Sequence, residues 1–101
     1  MYKVFWELKV KYKDRDKMEH FYEPRGEWVK FFSKAKGYEG TEVLESGEGD
    51  NTFLVIDDWQ SEEDYNACIQ SRKADFTLLE EKANAVSRTR KRIFISFGPE
   101  G

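Results

Sequence analysis

The chain has 101 residues, 17 of them basic and 20 acidic, a formal net charge of −3, and 16 % aromatic residues. The length suits one domain over residues 1–101. The near balance of charge excludes a general electrostatic pull toward nucleic acid or an anionic membrane, and the aromatic content calls for a folded core that houses large rings. Cys68 is the single cysteine, so no intramolecular disulfide can form. No apolar run approaches the ~18 residues of a membrane span. The opening YKVFWELKVKY alternates charged and apolar residues and does not resemble a secretory signal. A cytoplasmic location is the expectation.

Residues 2–12 read as a strand, with Tyr2, Val4, Trp6, Leu8, Val10 and Tyr12 on one face and Lys3, Lys9 and Lys11 on the other. A helix starts near Asp16 and carries Met18 and Phe21. Pro24 and Gly26 interrupt it, and a second helical segment carries Trp28, Phe31, Phe32 and Ala35 until Gly37 and Gly40 end it. Residues 41–46 read as a short strand, GEGDN as a turn, and 52–59 as a third strand. Ser61 can cap the next helix, with Glu63 and Asp64 in its first turn. That helix carries Tyr65, Cys68 and Ile69, bends near Ser71, and continues with Phe76, Leu79, Ala83 and Val86. Residues 89–97 form the last strand. The order β-α-β-β-α-β is that of a ferredoxin-like α+β sandwich.

The central strands carry apolar residues on both faces: Phe53, Leu54, Val55 and Ile56 in the third, and Ile93, Phe94, Ile95 and Phe97 in the last. A sheet with helices on one side alternates if its other side meets water. These strands do not alternate, and the chain has too few helices to cover both faces. A second copy of the same sheet is the expected cover, giving a homodimer.

The stretch GYEGTEVLES…TFLVIDDWQSEEDYNACIQS adds a family signal. It has a Gly-Tyr-x-Gly turn from Gly37 to Gly40, a strand of Thr41, Glu42, Val43 and Leu44, and a third strand ending in Trp59. Ser61 and an acidic helix start with Tyr65 follow. This order resembles the antibiotic biosynthesis monooxygenase family of dimeric α/β barrels, over about residues 2–97, and YEPRGEW resembles a subgroup with a Pro-x-Gly-x-Trp step in the first helix. The resemblance implies two ferredoxin-like sheets packed into a barrel, with a small-molecule pocket in each subunit between sheet and helices. Family members include cofactor-independent oxygenases of polycyclic aromatics and haem-degrading enzymes. Trp59 matches the family tryptophan that lines the pocket. The first-strand asparagine of both enzyme groups and the helix histidine of the haem degraders have no counterpart, since residues 2–12 contain no asparagine and residues 61–86 no histidine. Trp6 or Glu7 stands in the first-strand region instead. No cofactor is therefore expected.

The implied activity is cofactor-independent oxygenation of a small hydrophobic aromatic or quinone-like molecule. The alternative is a non-catalytic small-molecule-binding or stress-associated protein on the same fold. The candidate catalytic residues are His20, Asp57 and Trp59. His20 is the only histidine and titrates nearest neutrality, although its place beside Glu19 also suits a surface residue. Asp57 shares a strand side with Trp59 and serves as a base if buried, or as a capping or salt-bridging group otherwise. Trp6, Tyr22, Arg25, Trp28, Tyr65 and Phe76 are candidate pocket residues. Tyr22, Arg25 and Trp28 would form a mouth at the helix break, unless Trp28 is simply core. One histidine and one cysteine give no metal-ligand spacing. Cys68, mid-helix, reads as a buried inert thiol. The charges of SRTRKR, residues 87–92, split between the faces of a strand and do not suggest a nucleic-acid site.

Overall fold

The computed structural model describes residues 2–96, with side chains described as far as Ile93. The expected apolar side chains of Phe94, Ile95 and Phe97 lie outside that set. β1 (Tyr2–Lys9) leads through a 3-10 turn at Tyr12–Asp14 into α1 (Arg15–Tyr22) and α2 (Glu27–Phe32). β2 (Tyr38–Glu45) and β3 (Thr52–Trp59) follow, then α3 (Glu62–Ser71), α4 (Lys73–Ala85) and β4 (Thr89–Ser96). The four strands lie in the order β2-β3-β1-β4, and each neighbouring pair is antiparallel. This is the ferredoxin-like α+β fold.

Period-two alternation in β1 divides the sheet into two faces. Tyr2, Val4, Trp6 and Leu8 are buried and stand opposite Trp59, Asp57, Val55 and Phe53 of β3. With Met18, Phe21, Tyr22, Trp28, Phe32, Tyr65, Phe76 and Leu79 from the helices, they form one hydrophobic core. The strand is shorter than its alternation suggested. Val10 N–H still bonds Asn51 O at 3.0 Å, but Asp14 N–H then bonds Lys11 O at 2.8 Å. The chain turns there, leaving Tyr12 80 % exposed.

The Pro24–Gly26 interruption has a steric cause. The backbone of Gly26 lies against the end of α1, where a Cβ would fall 2.3 Å from His20 O and 2.4 Å from Phe21 O. Only glycine allows this approach. Lys30 N–H bonds Gly26 O at 3.0 Å, so a new helix begins at once on a shifted axis. Trp28 therefore enters the core from α2, fully buried, and is not at a rim.

α2 ends at Phe32, earlier than expected, and turns at Ala35 and Tyr38 carry the chain into β2. Gly37 adopts φ +85° beside the Asp64 side chain. Gly40 does not end a helix. It sits at a register shift inside β2. The bend near Ser71 is a full break at Arg72, whose guanidinium lies 3.9 Å from the Phe31 ring centroid and donates to Phe31 O. Ser61 caps α3, its Oγ accepting from Asp64 N–H at 3.1 Å.

Candidate active site

Asp57 is the one charged residue buried as a whole among the described residues, fully removed from solvent on the inner face of β3. Three donors hold its carboxylate. Trp28 Nε1–H reaches Oδ1 at 3.0 Å, Trp6 Nε1–H reaches Oδ2 at 3.2 Å, and Thr41 Oγ1–H reaches Oδ1 at 2.7 Å. These come from α2, β1 and β2, so the carboxylate ties one helix to two strands. Tyr38 hydroxyl bonds Thr41 Oγ1 and extends the network. Loss of solvation raises the Asp57 pKa. The donated bonds of Thr41, Trp28 and Trp6 pull it back, the Asp58 charge pushes it up, and it stands at about 6. A carboxyl group raised into the neutral range inside aromatic walls is a candidate for proton transfer.

Two ring clusters flank it. Trp6 and Trp28 meet edge to face at 5.5 Å, with Tyr22 at 5.3 Å from Trp28. Phe32 meets Trp28 at 5.3 Å and Trp59 at 5.6 Å, both edge to face, linking the first cluster to the second. There Trp59 packs against Tyr38 at 5.4 Å and Tyr65 at 5.5 Å. Phe76 closes the helix side at 6.3 Å from Trp28. Burial first of all pushes the Tyr38 and Tyr65 hydroxyls to about 12, so both remain protonated donors. Burial likewise pushes the Cys68 thiol up, as expected of an inert thiol.

Thus the structure gathers Asp57, Trp6, Tyr22, Trp28, Trp59, Tyr65 and Phe76 in one interior. His20 and Arg25 are elsewhere. His20 is 78 % exposed, with Nδ1 3.4 Å from Glu23. Arg25 is exposed too. Both line a surface cleft of about 530 Å³ between the helix break and the end of α4, floored by Phe21 and Val86. Among the described residues, no three His, Cys, Asp or Glu side chains converge on a point that could hold a metal.

Two contributors were not anticipated. Thr41 faces Asp57 across the β2–β3 ladder. Arg90, from the basic run of β4, is only 5 % exposed in its side chain. β4 pairs Leu8 with Arg90 and Trp6 with Arg92, which turns both arginines to the inner face. The Arg90 guanidinium stacks on the Trp6 ring at 4.2 Å, and its Nη1–H donates to Asn84 Oδ1 at 2.9 Å. Arg92 Nη1–H reaches Tyr65 Oη at 3.4 Å. Alternation in TRKRI was the available signal for both, but it identifies the inner face only once the register with β1 is known.

The model of the antibiotic biosynthesis monooxygenase family matches residues 1–75. The chain belongs to that family. Among solved structures, a variant of SnoaB, a cofactor-independent oxygenase from Streptomyces nogalater, superposes with TM-score 0.77 at 14 % identity, covering 95 % of this chain and 91 % of that one. A conserved protein of unknown function from Bacteroides thetaiotaomicron gives TM-score 0.74 at 18 % identity, over 95 % and 96 % of the two chains. A further antibiotic biosynthesis monooxygenase gives 0.70 at 18 % identity, over 98 % and 100 %. A search of curated proteins found no match. At such identities the superpositions establish the fold, and family membership does not transfer a substrate.

Proposed function

We propose that this member of the antibiotic biosynthesis monooxygenase family is a cofactor-independent oxygenase. It acts on a small hydrophobic aromatic or quinone-like molecule held between sheet and helices, and Asp57 is its base. The observation that carries this reading is the buried Asp57 carboxylate, held by two indole N–H groups and a threonine hydroxyl and poised at about 6. Asp57 removes a proton from an activated ring methylene, and the electron pair enters the aromatic system as an enolate. Dioxygen takes up these electrons and bonds to the carbon, giving a hydroperoxide after protonation. Loss of the second C–H proton breaks the O–O bond. One methylene and one dioxygen thereby become one ring carbonyl and one water. The surrounding rings exclude water from the carbanion. Trp59 and Trp28 are ring walls, and Tyr65 is a donor toward the substrate oxygen.

Oxygen uptake with anthrone, without added metal or flavin, tests this reading. Asp57→Asn should lower it about 100-fold or more, the scale of general-base catalysis, and Trp59→Phe should lower it less. His20→Ala should leave it unchanged, because His20 faces solvent. Normal rates in both the Asp57 and Trp59 variants would sink the assignment. The second reading, a binding module without turnover, draws on the same three donors, since a carboxylate tied to α2, β1 and β2 also serves as a structural clamp. It predicts saturable binding with no oxygen consumption.

The same proposal includes a homodimer built through the outer face of the sheet. Phe5, Leu54 and Ile56 lie on that face, flanked by Leu44, 50 % exposed, and Ile93, 41 % exposed.

A further inference from the structure

The surface cleft beside the helix break is built by two helix faces. Lys17, His20 and Phe21 follow i, i+3, i+4 spacing on α1, and Lys82, Ala85 and Val86 repeat that spacing at the end of α4. Both faces line one trough, and Arg25 and Gly26 of the break line it as well. Its volume of about 530 Å³ lies in the range of small-molecule sites. The Phe21 ring, 7 % exposed, forms the floor with Ala85 and Val86. The same ring separates the trough from the interior, where it meets Tyr22 at 4.9 Å and Trp28 at 6.2 Å.

Charge in the trough runs against that of the whole chain. The chain carries −3, yet Lys17, Arg25 and Lys82 line the trough against a single carboxylate, that of Glu27. Glu27 is occupied by Lys82 at 2.8 Å, and His20 Nδ1 lies 3.4 Å from Glu23. Among the described residues, neither Lys17 nor Arg25 forms an ion pair. Like charges around one trough repel, and an anion seated among them relieves that repulsion. The floor offers one ring and two short side chains. That suits one ring of a ligand and not the row of apolar anchors by which a peptide helix docks.

We propose that this trough binds a small organic carboxylate with an apolar ring. The ring lies on Phe21, Ala85 and Val86, and the carboxylate meets Lys17 and Arg25. The site is separate from the Asp57 interior and goes beyond the oxygenase reading, because its ligand is bound without chemical change.

The test compares hydrocinnamate with the neutral hydrocinnamyl alcohol, and with inorganic phosphate as an anion without an apolar body, by backbone amide NMR on the full chain. Hydrocinnamate should bind saturably and shift the amides of Lys17, Phe21, Arg25, Gly26 and Val86. Its affinity should exceed that of the alcohol about tenfold, as two exposed ion pairs allow, and the preference should shrink in high salt. Lys17→Gln and Arg25→Gln should each weaken hydrocinnamate about two- to fivefold with little effect on the alcohol. Lys34→Gln removes the same charge from a different cleft, beside Cys68, and should leave the affinity unchanged. Ala85→Glu, at an exposed helix position, should abolish hydrocinnamate binding by placing a carboxylate on the floor. Phosphate should bind far more weakly, since it cannot use the apolar floor. Equal affinities for acid and alcohol, no saturable binding, or shifts centred away from the trough would overturn the proposal. So would an equal loss in Lys34→Gln, which would reduce the effect to net charge.

Discussion

Asp57 shows how one carboxyl group is tuned by opposing effects of similar size. Desolvation favours its neutral form, and the donated bonds from Thr41, Trp28 and Trp6 favour the anion. Desolvation prevails, which has a consequence for stability. A group whose folded pKa of about 6 exceeds its unfolded value near 3.8 binds more protons when folded. Its contribution is fully present below about 4 and is lost as pH rises through 6, amounting to about 3 kcal/mol. Thermal midpoints of the native chain and Asp57→Asn, followed from pH 4 to 7.5, should therefore converge or cross with rising pH, with the native chain relatively most stable at the acid end. A gap that widens in favour of the native chain above pH 6 would show that the anion is the stabilised form. Asp57 and Trp59 were legible in the sequence, since they share a strand side at the end of an unmistakable strand. Arg90 was not. A basic run in a strand reads as solvated edge charge until pairing reveals that Trp6 and Leu8 lie opposite its alternate residues.

At the scale of the element, the break between α1 and α2 is what positions the site. α2 has only six residues and would be marginal alone. Its three buried rings, Trp28, Phe31 and Phe32, hold it to the sheet. Gly26 lets its first turn nestle against the α1 carbonyls, which aims the Trp28 N–H at Asp57. Gly26→Ala should destabilise the protein by about 1–3 kcal/mol, the usual cost of overpacking, read as a lower urea midpoint. It should also loosen the Trp28–Asp57 bond, shifting tryptophan emission to the red. An unchanged midpoint would mean that the close approach is not needed. Strands and helices were legible because their periods differ and Ser61, Pro24 and Gly37 punctuate them. The depth of Trp28 was legible only as one of two readings, core or rim, because a Pro-Gly step bends a chain without saying which way.

For the whole molecule, the outer sheet face poses the main question. Among the described residues no helix covers it, yet Phe5, Leu54 and Ile56 are partly or fully sheltered there, and the ion pair of Lys3 with Asp58 borders them. Ile56→Lys should turn a dimer into a monomer in sedimentation velocity, whereas Lys91→Glu on the same strand face as Ile93 should have a smaller effect. A native chain that sediments as a monomer at micromolar concentration would refute the shared-sheet arrangement. The ferredoxin-like order was readable from sequence, as was the two-sided apolar character of β3. The most direct test of the account is the pH dependence of oxygen consumption with anthrone, measured from pH 5 to 8 for the native chain and Asp57→Asn. Below about 6, kcat/KM should fall about tenfold per pH unit in the native chain, as a single base titrates, and the variant should be slow with no inflection there. The same inflection and rate in Asp57→Asn would contradict the assignment of Asp57 as the base.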